Sequence, residues 1–203
     1  MMGGIEGNDD QRRALDAALA EIYVTAEGAW NESRQNEPEK QAFYVISEKV
    51  GVRMTLEIGG KPIEQLENGV KQVGHVSGYA SYLRNISNFT TLNEPTTIEL
   101  LKLRVQDLGL SGQPTTKQIF ERISHCRVGE KVLELCPAEV GLRLRVKDTE
   151  QPFDDVYFIA HEPITDRNGD PSIFKLGRNA YGLWLGDSWA ALPDYKWGPQ
   201  DQL

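Results

Sequence analysis

Leu142-Arg143-Leu144-Arg145-Val146-Lys147 is the stretch on which the reading of the fold turns. Apolar and basic residues alternate along it with a period of two, the pattern of a half-buried strand. Read so, it opens a C-terminal run of strands. Val156–Ile164 follows, rich in β-branched and aromatic residues. Asp166-Arg167-Asn168-Gly169-Asp170 then marks a turn, because Asn-Gly between two strand-like runs favours a tight hairpin. Ser172–Leu176 returns, Asn179–Gly182 turns again, and Leu183-Trp184-Leu185 makes the last strand.

Upstream, helical signals dominate. Asn8 is placed to cap a helix with Asp9 and Asp10 in its first turn and an apolar stripe from Leu15 to Ala26. The polar run from Asn31 to Lys40 reads as a connection. Val52, Met54, Leu56 and Ile58 alternate with polar neighbours as a strand that Gly59-Gly60 ends, while Ala42–Ile46 suits either a strand or a short helix. Pro62 starts a helix whose apolar face carries Ile63, Leu66, Val70 and Val73, with Gly74 as its stop. Ser77 caps a further short helix. Leu101, Leu103 and Val105 alternate with Lys102 and Arg104 as a second strand, and Thr115 with Gln118 forms a capping box ahead of a helix reaching Cys126. The expected architecture is α+β: an N-terminal helix and linker over 1–36, then one domain over 37–203, with helices in the first two-thirds and an antiparallel β-meander at the C-terminal end.

Composition bounds the function. The chain has 203 residues, 39% hydrophobic and 26% charged, a globular balance at a size that buries roughly 70% of its unfolded surface. A net charge of −8 disfavours binding to a phosphate backbone, which needs a basic face. Cys126 and Cys136 make no disulfide framework, and no second close pair accompanies them for zinc. The N-terminus lacks the basic and apolar regions of a signal peptide, and no apolar run is long enough to span a bilayer. A cytoplasmic location follows as the expectation, and the sequons at Asn31, Asn85 and Asn88 then carry no glycan.

The motif Leu135-Cys136-Pro137-Ala138-Glu139-Val140-Gly141, with His161-Glu162-Pro163-Ile164-Thr165-Asp166 and Gly182-Leu183-Trp184-Leu185, resembles a family of small bacterial proteins of uncharacterised activity. The similarity runs from near Gly59 over the last two-thirds of the chain. It implies a bacterial, cytosolic protein and brings no reaction with it.

Four groups of residues are candidates for function. His161 and Glu162, with Asp154 and Asp155 on the preceding turn, offer a general base with carboxylates. Adjacent strand residues point to opposite faces, however, so a hydrogen-bonded strand histidine explains His161 as well. Asp166, Asn168 and Asp170 resemble the opening of a calcium loop, but its twelfth position falls on Gly177, and Asx side chains in a hairpin account for them too. The aromatic residues Tyr181, Trp184, Trp189, Tyr195 and Trp197 suit a partner surface or the closing of a core. Arg143, Arg145 and Lys147, with Lys102 and Arg104 on another strand, suit an anion or a solvated sheet face. The leading expectation is a non-enzymatic interaction or regulatory protein that contacts another protein through its aromatic C-terminal sheet, with no cofactor and its oligomeric state open. The alternatives are a small hydrolase or transferase centred on His161, or a weak binder of anionic ligands or nucleic acid.

Overall fold

In the computed structural model, residues 43–76, 89–165 and 168–203 are described. The expected N-terminal helix, the short helix at Ser77, the three sequons and Asp166 lie outside them. The elements in chain order are β1 (Tyr44–Ile46), β2 (Val52–Ile58), α1 (Ile63–Val73), β3 (His75–Val76) and β4 (Thr96–Lys102). A 3-10 turn (Val105–Leu108), α2 (Thr116–Ile123), β5 (Cys126–Val128), β6 (Lys131–Val132) and α3 (Val140–Lys147) follow. The chain ends with β7 (Val156–Phe158), β8 (Ile164–Thr165), β9 (Pro171–Asn179), β10 (Gly182–Ser188) and a 3-10 turn (Trp189–Ala191).

Several local signals act as the sequence predicts. Pro62 precedes the first turn of α1, whose apolar face is buried at Leu66 and Val70. Thr115 Oγ1 accepts from the Gln118 N–H while the Gln118 side chain reaches back to the Thr115 N–H, a complete capping box. Asn168-Gly169 lies in the turn between β8 and β9, and the next turn joins β9 to β10 in antiparallel register.

The expected layout of helices first and an antiparallel meander last is overturned. The described residues are mostly sheet with three short helices, and the sheets are mixed. β1 pairs parallel with β5, which pairs antiparallel with β6. The C-terminal sheet runs β3-β10-β9-β7 with β8 also on β9, and β3, drawn from far upstream, lies parallel to β10. β2 and β4 form a separate two-stranded antiparallel sheet. Val105 belongs to a 3-10 turn and not to the second strand.

The largest correction falls on 142–147, which are helical. Every residue from Val140 to Arg145 is buried, so α3 presents no polar face and its sequence shows no helical period. The alternation of leucine with arginine arises instead because the arginines, too, are inside. Both residue types favour helix over strand in their intrinsic preference. Gly141 is required by packing: a Cβ there would stand 2.7 Å from Cδ2 of Phe174.

Helix α3 packs against α1, β2, β9 and β10, so it sits between the two-stranded sheet and the C-terminal sheet. Its charged groups are matched in both directions. Arg143 Nε donates to Glu139 Oε2 at 2.5 Å, while its terminal nitrogens donate to the carbonyls of Glu57 (3.3 Å) and Gly59 (2.6 Å) at the end of β2. The same Glu139 carboxylate accepts from the N–H groups of Gly59 (3.0 Å) and Leu92 (2.7 Å). Arg145, fully buried, turns the other way. It donates to Gln151 Oε1 at 2.6 Å, to the carbonyls of Gly177 and Trp184 at 3.3 and 3.4 Å, and to the Asp148 carbonyl. Its Nε has no partner among the described residues, and burial lowers its pKa from the ordinary range.

A buried charge whose partner is removed is left uncompensated, at a cost of about 3–5 kcal/mol. Glu139→Ala is therefore expected to lower unfolding free energy by that order in a urea titration. Glu139→Gln/Arg143→Met, which removes both charges, is expected to recover part of the loss. A Glu139→Ala protein as stable as the parent contradicts the clamp.

Candidate functional site

The principal concavity among the described residues is an apolar cleft of about 800 Å³, between the β2–β4 sheet on one side and β7 and the segment after β6 on the other. Ligand sites commonly span roughly 300–1,000 Å³. Val140 and Leu144 of α3 reach it from one side, and Leu133 and Leu135 from the other. Ile98, Leu100 and Leu101 of β4 add a third wall. All but the two α3 residues are only partly buried, which leaves apolar surface open in a place where a closed core would have covered it.

Charges gather at the rim. Lys131 on β6 and Glu99 on β4 pair at 2.7 Å, and the lysine holds the Glu99 carboxyl below its usual pKa through that hydrogen bond and its charge. Both are exposed, so the pair is a weak strap. Lys102 is engaged below the cleft, 2.9 Å from Asp155 Oδ2 and over the ring of Tyr157. Burial alone would raise the Asp155 carboxyl, but hydrogen bonds from Lys102, Gln202 and Gln151 overcome it and hold the pKa down. Cys136 also lines the cleft; burial pushes its thiol up to about 11, where it is a poor nucleophile.

The candidates named from sequence fall in several places. His161 is fully buried, with Nδ1 2.7 Å from the Glu162 carbonyl and Nε2 3.0 Å from the Phe174 amide nitrogen. Only one tautomer fits: Nδ1–H donates to the carbonyl, and Nε2 accepts from the amide. Both ring nitrogens are thus used by backbone, and the ring joins β9 to the strand-like residues before it. The Glu162 side chain is exposed. Asp154 is exposed at a turn with φ of 60°, a conformation aspartate tolerates, and Asp155 belongs to the Lys102 pair. Asn168 and Asp170 are exposed in the β8–β9 turn, and among the described residues no three His, Cys, Asp or Glu side chains are grouped to hold a metal.

The arginines expected to form a basic face are inside: Arg143 is 6% exposed and Arg145 not at all. Neither presents a guanidinium to an anion in solvent. The aromatic group divides. Trp197 is fully buried, T-shaped against Phe158 and Tyr195, and its indole N–H donates to Thr116 Oγ1 at 2.7 Å. Trp184 is half-buried and lies flat on Gly177, where a Cβ would stand 2.2 Å from its ring. Trp189 and Tyr181 remain exposed, at 56% and 90%. Sequence reasoning missed the cleft. Its one available signal was the paired run Leu133, Leu135 and Leu100, Leu101, too apolar for surface loops and edges.

Comparison with models of protein families, with curated proteins and with solved structures yields no match to this chain. No helix among the described residues is long and apolar enough to cross a membrane.

The His161 ring carries a testable signature. Burial lowers its pKa from 6.5 to about 4, partly opposed by the Glu162 carbonyl. Between those values the unfolded chain takes up a proton that the folded chain refuses. The stabilisation is therefore whole above pH 6.5 and is lost as pH falls toward 4, on the order of 3 kcal/mol. Urea unfolding across that window is expected to be steeper in pH for the parent than for His161→Gln, which takes up no proton. Equal slopes contradict the buried neutral histidine.

Proposed function

We propose that this protein acts by binding and not by catalysis, and that its binding site is the apolar cleft between β4 and the segment after β6. The observation that carries this reading is the set of partly buried leucines on facing walls, Leu100 and Leu101 against Leu133 and Leu135. Apolar surface left open in a concavity is surface that a ligand removes from water, at about 25 cal/mol for each Å² covered. An interaction protein remains the functional class, as its sequence suggested, but the contact surface moves from the aromatic C-terminal sheet to the cleft. Trp197 contributes to the core, so the aromatic surface open to a partner is reduced to Tyr181, Trp189 and their surroundings.

The alternative of a hydrolase or transferase centred on His161 has weak support, because a general base needs a free ring nitrogen within reach of a substrate. Both nitrogens of His161 are bonded to backbone in a fully buried site. A polyanion-binding role has lost the surface it was built on.

An anilinonaphthalene sulfonate probe tests the site directly. Fluorescence titration is expected to give saturable binding that Leu100→Lys and Leu135→Lys each weaken tenfold or more. Both residues are partly exposed, so the unfolding midpoint is expected to move little. Trp189→Ala is expected to bind like the parent. Binding lost in Trp189→Ala and kept in the two leucine variants would assign the site to the aromatic face instead.

A further inference from the structure

We propose that the occupant of the cleft is an extended polypeptide strand from a partner protein, added antiparallel to β4 and parallel to β7. This rests on the reading of the cleft as the binding site and goes further by assigning the ligand class and its register.

The argument begins at one end of the cleft. Residues 201–203 lie between the continuation of β4 and β7 and are bonded on both edges. The Leu103 N–H donates to the Leu203 carbonyl (2.9 Å), the Leu203 N–H to the Leu103 carbonyl (2.8 Å), and the Val105 N–H to the Asp201 carbonyl (2.9 Å). On the other edge the Phe158 N–H donates to the Gln202 carbonyl at 2.9 Å. Here the two walls stand one strand apart, and the backbone of 201–203 is that strand.

Beyond Leu203 the same two walls continue with nothing described between them. Backbone groups along an antiparallel strand alternate in direction. In β4, residues of the same parity as Leu103 and Val105 are Leu101, Glu99 and Thr97. Their N–H and C=O groups point away from β2 and have no backbone partner among the described residues. On the facing wall, Ile159 is bonded to Phe174 of β9, so its neighbours Phe158 and Ala160 face the cleft. The Phe158 carbonyl and the Ala160 N–H likewise have no backbone partner among the described residues. Both walls of an apolar slot thus offer unused donors and acceptors at strand spacing.

That combination selects the ligand. A small apolar molecule covers the leucines and leaves the backbone groups unmatched, at a penalty of about 1–3 kcal/mol for each group it desolvates. The edge strand of a folded second copy pairs with one wall only, since its other edge is held in its own sheet. A single extended segment satisfies both walls at once, the mode in which peptides add to exposed sheet edges. Spanning Leu101 to Thr97 takes about five residues, roughly 17 Å. Because apolar side chains reach the slot from α3 on one side and from Leu133 and Leu135 on the other, the segment is apolar on both faces, as strands buried within sheets are. Its binding joins β2–β4 to the C-terminal sheet as one continuous sheet.

The probes are capped heptapeptides rich in Val, Ile, Leu and Phe, selected on the immobilised full chain, with affinities measured by fluorescence anisotropy. Glu99→Pro removes a donor that faces the cleft and none that holds β4 to β2. Glu99→Thr removes only the pairing with Lys131. The selected peptide is expected to lose tenfold or more in affinity for Glu99→Pro and to keep it for Glu99→Thr. N-methylation of the peptide is expected to weaken binding tenfold or more, and it carries the test alone if Glu99→Pro does not fold. Peptide binding indifferent to both backbone changes overturns strand addition. A cleft that binds the sulfonate probe but selects no peptide also overturns it, while leaving the cleft a site for small apolar ligands. Self-association that Glu99→Pro abolishes would assign the edge to a second copy. If neither peptide nor sulfonate probe binds, the cleft reading itself fails.

Discussion

Arg143 and Arg145 lie two residues apart on a buried helix and reach in opposite directions, and the arrangement of the two sheets depends on that divergence. Two cations cannot enter a core without matching groups. Arg143 finds the Glu139 carboxylate and the carbonyls that close β2; Arg145 finds carbonyls of β9 and β10 and the Gln151 amide. Helix α3 is therefore a spacer with a clamp on each side. The carbonyls it grips belong to different sheets, so their separation is set by the helix and not by direct pairing between them.

The cleft is a consequence of that spacing. At one end the gap is filled by 201–203, and beneath it Lys102, Asp155, Gln151, Gln202 and Tyr157 form a connected polar group that ties β4 to β7. Past Leu203 the gap stays open, with a floor from α3 and walls of leucine. Closing it by collapse would pull the arginines from their carbonyls. A satisfied polar core and an open apolar slot are thus two results of one helix. Local rigidity also suits binding, because a preformed slot leaves little ordering to be done when a strand enters.

Much of the local structure was legible. Pro62 with Gly74, the Thr115–Gln118 box and Asn168-Gly169 act through residues close in sequence, and each marks the element it signals. Residues 142–147 were misread because periodicity reports burial on one face, and α3 is buried on all of them. The parallel pairs β1–β5 and β3–β10 bring together segments far apart in sequence, which no local pattern encodes. Residue type also failed to separate Trp197 in the core from Trp189 in solvent: both are tryptophans near turns, and only the Thr116 hydroxyl and the ring of Phe158 distinguish them. The cleft was the least legible feature. Its specific groups are backbone N–H and C=O, which every sequence carries and none displays.

Amide hydrogen exchange along β4 in the free protein tests the central claim most directly. Ile98, Leu100 and Lys102 have the parity that bonds to β2, whereas Thr97, Glu99 and Leu101 face the slot. The account predicts alternating protection, slow at the first three amides and fast at the other three. Uniformly slow exchange along the strand would mean that the edge is already covered, and would contradict an open slot one strand wide.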